Sequence, residues 1–138
     1  FNVLRMTGFG IHAKKSIDCW ISSTIMFIGL PYISKLLIIP LPIHVVMSFV
    51  LFILILLYAP ADTYKRPLIK KKKRIIYKII TSINTIILLI ISFFTNSVIT
   101  NLILFGILTE VILVNPLTYK LFNLPYKNYK TYDLNSNV

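Results

Sequence analysis

A chain of 138 residues that is 57% hydrophobic and 14% charged, with mean hydropathy +0.80, lacks the polar surface a water-soluble core of this size needs. It reads as an integral membrane protein. The net charge of +11 would suit nucleic acid, but most of the chain would lie in lipid, so the basic residues read instead as topology signals and as contacts to acidic lipid or an acidic peptide. With one cysteine, Cys19, no intrachain disulfide can form.

The chain begins at Phe1, and Phe1-Asn2-Val3-Leu4 reads as the tail of an earlier element, so an N-terminal portion is expected to be missing. No signal-peptide pattern is visible. Next comes a dense polar stretch, residues 5–19, that holds Cys19, His12, Gly8 and Gly10. Four apolar runs come after it: residues 19–34, interrupted by Gly29 and Pro31, then 43–58, 79–94 and 98–114. Each is at or just under the ~17–25 residues of a spanning helix. Their all-round hydrophobicity favours helices over barrel strands, which would alternate. The expected fold is an all-α polytopic membrane bundle of about four transmembrane helices, a single domain over residues 1–116 with a tail over 117–138.

Between the first two runs, Pro40 and Pro42 prevent one continuous helix. Ala59-Pro60-Ala61-Asp62 ends the second run, Thr95-Asn96-Ser97 makes a short turn before the fourth, and Asn115-Pro116 closes it. The tail carries Tyr119, Tyr126, Tyr129 and Tyr132, and its last residues are expected to be poorly ordered. Of the 15 basic residues, all but Lys35 fall in the N-terminal stretch, the loop over residues 59–78 or the tail. Four spans put those three segments on one side, and the positive-inside rule makes that side the cytoplasm of a multi-pass cell-membrane protein.

His12 and Cys19 form the first candidate constellation. A thiolate is the nucleophile and a neutral imidazole can take the thiol proton, so the pair is a minimal acyl-transfer unit. Arg5, Lys14 and Lys15 nearby would lower the thiol pKa. Seven helical residues rise ~10.5 Å, too far for the two side chains to meet on one straight helix, so catalysis requires His12 on a non-helical segment that folds back. Gly8 and Gly10 permit such a turn and can leave backbone N–H groups for an oxyanion. The competing account is an interface histidine and a small apolar cysteine starting a helix. Asp18 reads as a solvated residue at a helix start, and His44 as an interface residue.

Glu110 lies inside the fourth run, where an acid is costly and marks a functional position by default. The alternative is that it is protonated, or bonded to Asn84 or Thr85 on a neighbouring helix. The basic residues 70–74 serve as a topology anchor or as a docking strip for an acidic peptide. No metal-ligand cluster, phosphate-cradling glycine loop or Ser-His-Asp arrangement is present, so no metal or cofactor is expected.

Arg5-x-x-Gly8-x-Gly10-x-His12-Ala13, with Cys19 seven residues after His12, resembles the AgrB (accessory gene regulator protein B) family. So do Tyr58-Ala59-Pro60-Ala61-Asp62-Thr63 with Lys65-Arg66-Pro67 and a basic run after it, and Leu104-Phe105-Gly106-Ile107-x-x-Glu110. One departure is Phe9-Gly10, where the family often has two adjacent glycines. The resemblance implies a membrane-embedded cysteine endopeptidase of Gram-positive quorum sensing. Its partner would be a small AgrD-like precursor peptide with an acidic C-terminal tail. Cys19 would attack the bond after the pheromone segment with His12 as base, and the acyl-enzyme would be released by ring closure to a thiolactone or lactone. Arg5, Gly8 and Gly10 would support the dyad or its oxyanion, and Lys65, Arg66 and Glu110 would contact substrate. Membrane lipids and a second copy of the chain, as a homodimer, stand among the expected partners. Readings from other classes are a small transport or channel subunit using Glu110, and a scaffold docking through the basic loop.

Overall fold

The computed structural model describes residues 2–11, 16–37, 39–62 and 67–127. These form six helices: α1 (Asn2–Gly8), α2 (Ser16–Leu36), α3 (Leu41–Tyr58), α4 (Lys71–Phe94), α5 (Ser97–Val114) and α6 (Pro116–Leu121). Among the described residues there is no strand. At 1.5 Å per residue α3 and α5 run ~27 Å and α4 ~36 Å, close to the ~30 Å hydrocarbon thickness of a bilayer. These three helices are long and apolar enough to cross a membrane. The 21-residue α2, richer in Ser and containing Pro31, is a borderline fourth. The bundle is therefore the all-α membrane architecture that hydropathy implies.

Helix ends obey the local chemistry. Pro40 precedes α3 in extended conformation and Pro42 sits in its first turn, where a missing N–H costs nothing. The side chain of Asn96 accepts from Ile99 N and caps α5, and Asn115 accepts from Leu117 N to start α6. Two boundaries differ from the sequence expectation. Helix α2 passes straight through Pro31 rather than breaking there, and Ser34 donates to Leu30 O at 2.7 Å beside it. The basic run does not end as a loop, because Lys71, Lys72, Lys73 and Arg74 form the first turn of α4.

Helix α5 is the hub, packing against α1, α2, α3, α4 and α6. Its Leu104, Ile107 and Val111 meet Leu51 and Ile55 of α3, the adjoining Ala59, and Leu4 of α1 in one apolar core. Outward faces carry large exposed side chains such as Phe49, Ile79, Ile83 and Ile90, as lipid contact requires. At the end of the bundle away from the basic run, polar side chains join the helices. Asn101 of α5 donates to Ser34 O (3.1 Å) and Leu37 O (2.6 Å), satisfying carbonyls at the C-terminus of α2. His44, near the start of α3, is enclosed by the bundle rather than exposed on its surface. It is 3% exposed, its ring meets Phe93 edge-on at 4.5 Å, and Nε2 lies 3.1 Å from Ser92 Oγ. Ser92 gives its own hydrogen to Leu89 O at 2.6 Å, so Nε2–H of His44 is the donor of that pair.

Replacing Asn101 by leucine keeps the volume but removes the donor that two carbonyls share, one of them buried. Such a loss costs ~1–3 kcal/mol. Asn101→Leu should lower the midpoint of thermal unfolding in detergent micelles by several degrees, read by circular dichroism at 222 nm. Asn84→Leu, at a position that is not buried, should leave the midpoint nearly unchanged.

Candidate functional site

The polar N-terminal stretch folds as a short helix that runs into a sharp, left-handed turn. After α1 ends at Gly8, Phe9 (φ 63°) and Gly10 (φ 78°) both lie in the left-handed region. Glycine enters it freely, whereas a side chain there costs ~1–2 kcal/mol. Phe9 thus takes the backbone path that a second glycine would take. Its ring is held edge-on against Tyr77 of α4, 5.0 Å between centroids, which offsets the strain.

Main-chain bonding then fixes the turn from three sides. Gly10 N–H donates to Ala61 O (3.0 Å), Ala61 N–H returns a bond to Gly8 O (3.0 Å), and Ile11 N–H donates to Leu113 O (3.0 Å). The guanidinium of Arg5, one turn back on α1, donates through Nη1 to Phe9 O and through Nη2 to Ile11 O. One side chain with a planar fork of donors thereby binds the carbonyls on either side of Gly10, a geometry that lysine cannot reproduce. The Gly10 N–H, a candidate oxyanion donor from the sequence, is engaged by Ala61 O.

The two glycines do different work. A Cβ on Gly10 would sit 2.8 Å from both Arg5 Nη1 and Leu113 O, besides straining a positive φ. A Cβ on Gly8 would meet only one thing closely, Glu110 Oε1, at 2.6 Å. Glu110 is 0% exposed, and neither carboxylate oxygen has a hydrogen-bond partner. Neither Asn84 nor Thr85 serves it; Thr85 donates to Thr81 O within α4 instead. Glu110 lies one turn, ~6 Å, before the end of α5, and its carboxyl group faces the back of the α1 terminus.

The loop after α3 is anchored from the tail. Tyr119 of α6 is buried and its hydroxyl donates to Asp62 O at 3.0 Å. Burial, and then the negative charge of Asp62, push the Tyr119 phenol above its ordinary range, so it stays a donor at every physiological pH. Val114, Ala61 and Tyr119 form a second small core, with Ile11, Tyr58 and Tyr126 packed on it.

Of the residues singled out from sequence, Arg5, Gly8, Gly10 and Glu110 come together in one place. Cys19 lies in the first turn of α2, and its side chain, like His12, Lys65 and Arg66, falls outside the described residues. Sequence reasoning missed Ala61, Leu113, Tyr77 and Tyr119 as the supports of the turn. Only Ala61 had a signal, its place in the Ala59-Pro60-Ala61-Asp62 stretch.

Three separate stretches thus converge: Arg5 to Ile11, Ala59 to Asp62, and the Glu110-bearing end of α5. A sequence model of the family described as accessory gene regulator B matches residues 1–114, which contain all three. The chain belongs to the AgrB family. An AgrB-like protein of Listeria monocytogenes is 38% identical over 136 residues, covering 94% of this chain and 64% of the relative. An AgrB-like protein of Clostridium acetobutylicum is 34% identical over 135 residues, covering 96% and 64%. The accessory gene regulator protein B of Staphylococcus carnosus is 40% identical over 107 residues, covering 75% and 54%. This AgrB-family chain therefore spans a little under two thirds of the length of the Listeria and Clostridium relatives. No solved structure matches it.

The tight approach of Gly8 to Glu110 makes a paired test. Gly8→Ala brings a methyl group to 2.6 Å from Glu110 Oε1, the end of an enclosed side chain that must then shift, and should lower the unfolding midpoint in micelles. Shortening the opposing group with Glu110→Ala in the same chain should recover most of that loss. If the double variant is no more stable than Gly8→Ala alone, the contact is not what makes glycine necessary at position 8.

Proposed function

We propose that this chain is the catalytic part of a membrane-embedded cysteine endopeptidase. It would mature an AgrD-like peptide pheromone for accessory gene regulator quorum sensing. The observation that carries the reading is the turn over Phe9, Gly10 and Ile11, pinned by Arg5, Ala61 and Leu113 immediately before His12 in the chain. A dyad needs its base on a rigid, non-helical segment, because the seven-residue interval to Cys19 is too long for one helix. Helix α2 starts at Ser16 and carries Cys19 in its first turn, so the chain between Ile11 and Ser16 is the link across which the pair would meet.

In the proposed reaction His12 takes the Cys19 proton and the thiolate adds to the carbonyl that ends the pheromone segment. The tetrahedral intermediate collapses, His12 returns the proton to the leaving amine, and the acidic tail departs as a free peptide. The acyl group remains on Cys19 as a thioester. A thiol or hydroxyl within the precursor then attacks it, closing a thiolactone or lactone and restoring the Cys19 thiol. At the lipid edge water competes poorly for the thioester. Lys65 and Arg66, ahead of Pro67, would attract the acidic tail. The motif, the basic loop and the tail lie on the cytoplasmic side, because all but one of the 15 basic residues then fall inside.

Cys19→Ser and His12→Ala should each abolish cleavage of a co-expressed precursor, read by mass analysis of the peptide products, while both variants still insert in the membrane. Alkylation of Cys19 should do the same. A chain working as a carrier or scaffold would survive all three. Normal processing by either variant would overturn the dyad.

Orientation has its own test. In a Cys19→Ser background, an impermeant maleimide applied to intact cells should label Lys35→Cys and should spare Lys70→Cys. The reverse pattern would place the motif outside.

A further inference from the structure

Beside the pinned turn, and sharing Ala61 with its scaffold, a recess of ≈ 200 Å³ opens at the basic end of the bundle. Its floor is the segment Tyr58, Ala59, Pro60, Ala61 and Asp62, and Arg74, Lys78 and Lys127 stand around it. Arg74 and Lys78 are four residues apart on α4 and so share one face. Arg74 is half-buried and donates to Leu68 O at 3.4 Å, while Lys127 lies 5.5 Å from the Tyr126 ring. Three cations against the one carboxylate of Asp62 give the recess a net positive charge.

We infer that this recess is a binding site for the phosphate headgroup of an anionic phospholipid. Three observations select that occupant. The first is depth: the recess lies where α3 ends at Tyr58 and where α4 passes from Arg74 to its apolar run, at the level of headgroups. The second is the remaining wall, Leu57 and Ile75, which are 65% and 51% exposed on the outward faces of α3 and α4. A headgroup seated among the cations would therefore continue into acyl chains lying along the lipid-facing surface. The third is charge, since Arg74, Lys78 and Lys127 outnumber the one carboxylate of Asp62 and suit an anionic group. The inference does not rest on the peptidase reading, because none of its residues belongs to the proposed dyad.

The test is native mass spectrometry of the full chain released from micelles. Phosphatidylglycerol and phosphatidylcholine of identical acyl chains are supplied in equal amounts. Wild type should retain phosphatidylglycerol in preference, and Lys78→Gln with Lys127→Gln should reduce that preference on the order of tenfold. Lys71→Gln with Lys72→Gln, which removes as much charge from the basic end outside the recess, should preserve it. Circular dichroism at 222 nm confirms that both double variants remain folded. The proposal fails if the first double variant keeps the wild-type preference, or if the second lowers it equally, which would mean diffuse surface attraction. Millimolar inorganic phosphate that displaces the lipid would assign the recess to free phosphate and overturn the proposal. A poly-glutamate peptide that displaces it would assign the recess to an acidic peptide, with the same consequence. Persistence of the lipid against both supports the headgroup.

Discussion

The guanidinium of Arg5 spanning the carbonyls of Phe9 and Ile11 is the constraint on which the rest of this structure depends. Non-helical backbone that is shut away from water must find partners for its amides and carbonyls within the protein. Here most of the accounting closes: Gly8 O, Gly10 N and Ile11 N bond to Ala61 or Leu113, and Arg5 takes the carbonyls of Phe9 and Ile11. The partners lie on different segments, so the turn also clamps α1, the loop after α3 and the end of α5 to one another. A left-handed pair of residues, strained at Phe9, is thus held by neighbours that bond to the turn.

The polar side chains of α5 divide the bundle into two kinds of joint. At one end Asn101 reaches the carbonyls that finish α2, a satisfied contact that fixes helix order. Near the other end Glu110 is enclosed without a hydrogen-bond partner and abuts a glycine. The first arrangement is what stability alone would select, since an orphaned polar group inside a membrane costs free energy. The second carries a cost, and such a cost is characteristic of positions kept for function.

Much of this is readable in the sequence because hydropathy and proline placement act locally. The spans, the break at Pro40 and Pro42, the Asn96 turn and the polar N-terminal stretch all come from residues within a few positions of each other. The unreadable part depends on pairing between distant segments. His44 reads as an interface histidine until α4 supplies Ser92 and Phe93, 48 and 49 positions away. Gly8 faces Glu110 across 102 residues, and neither one alone signals the other. The basic run reads as loop because charge reports side of membrane, whereas helix α4 begins by extending its apolar segment out among the lysines.

The hydroxyl of Tyr119 on Asp62 O changes where the folded unit should be thought to end. The family match stops at Val114, the last residue of α5, and the residues beyond it look like a polar appendage. Yet Tyr119 is 2% exposed, and it shields Ala61 and Val114, the same two neighbourhoods that receive the bonds of the Gly10 turn. Helix α6 therefore acts as a lid on the underside of the turn's scaffold. A chain trimmed back to the family boundary would keep every spanning helix and still leave the foundation of the Arg5–Ile11 turn open to water.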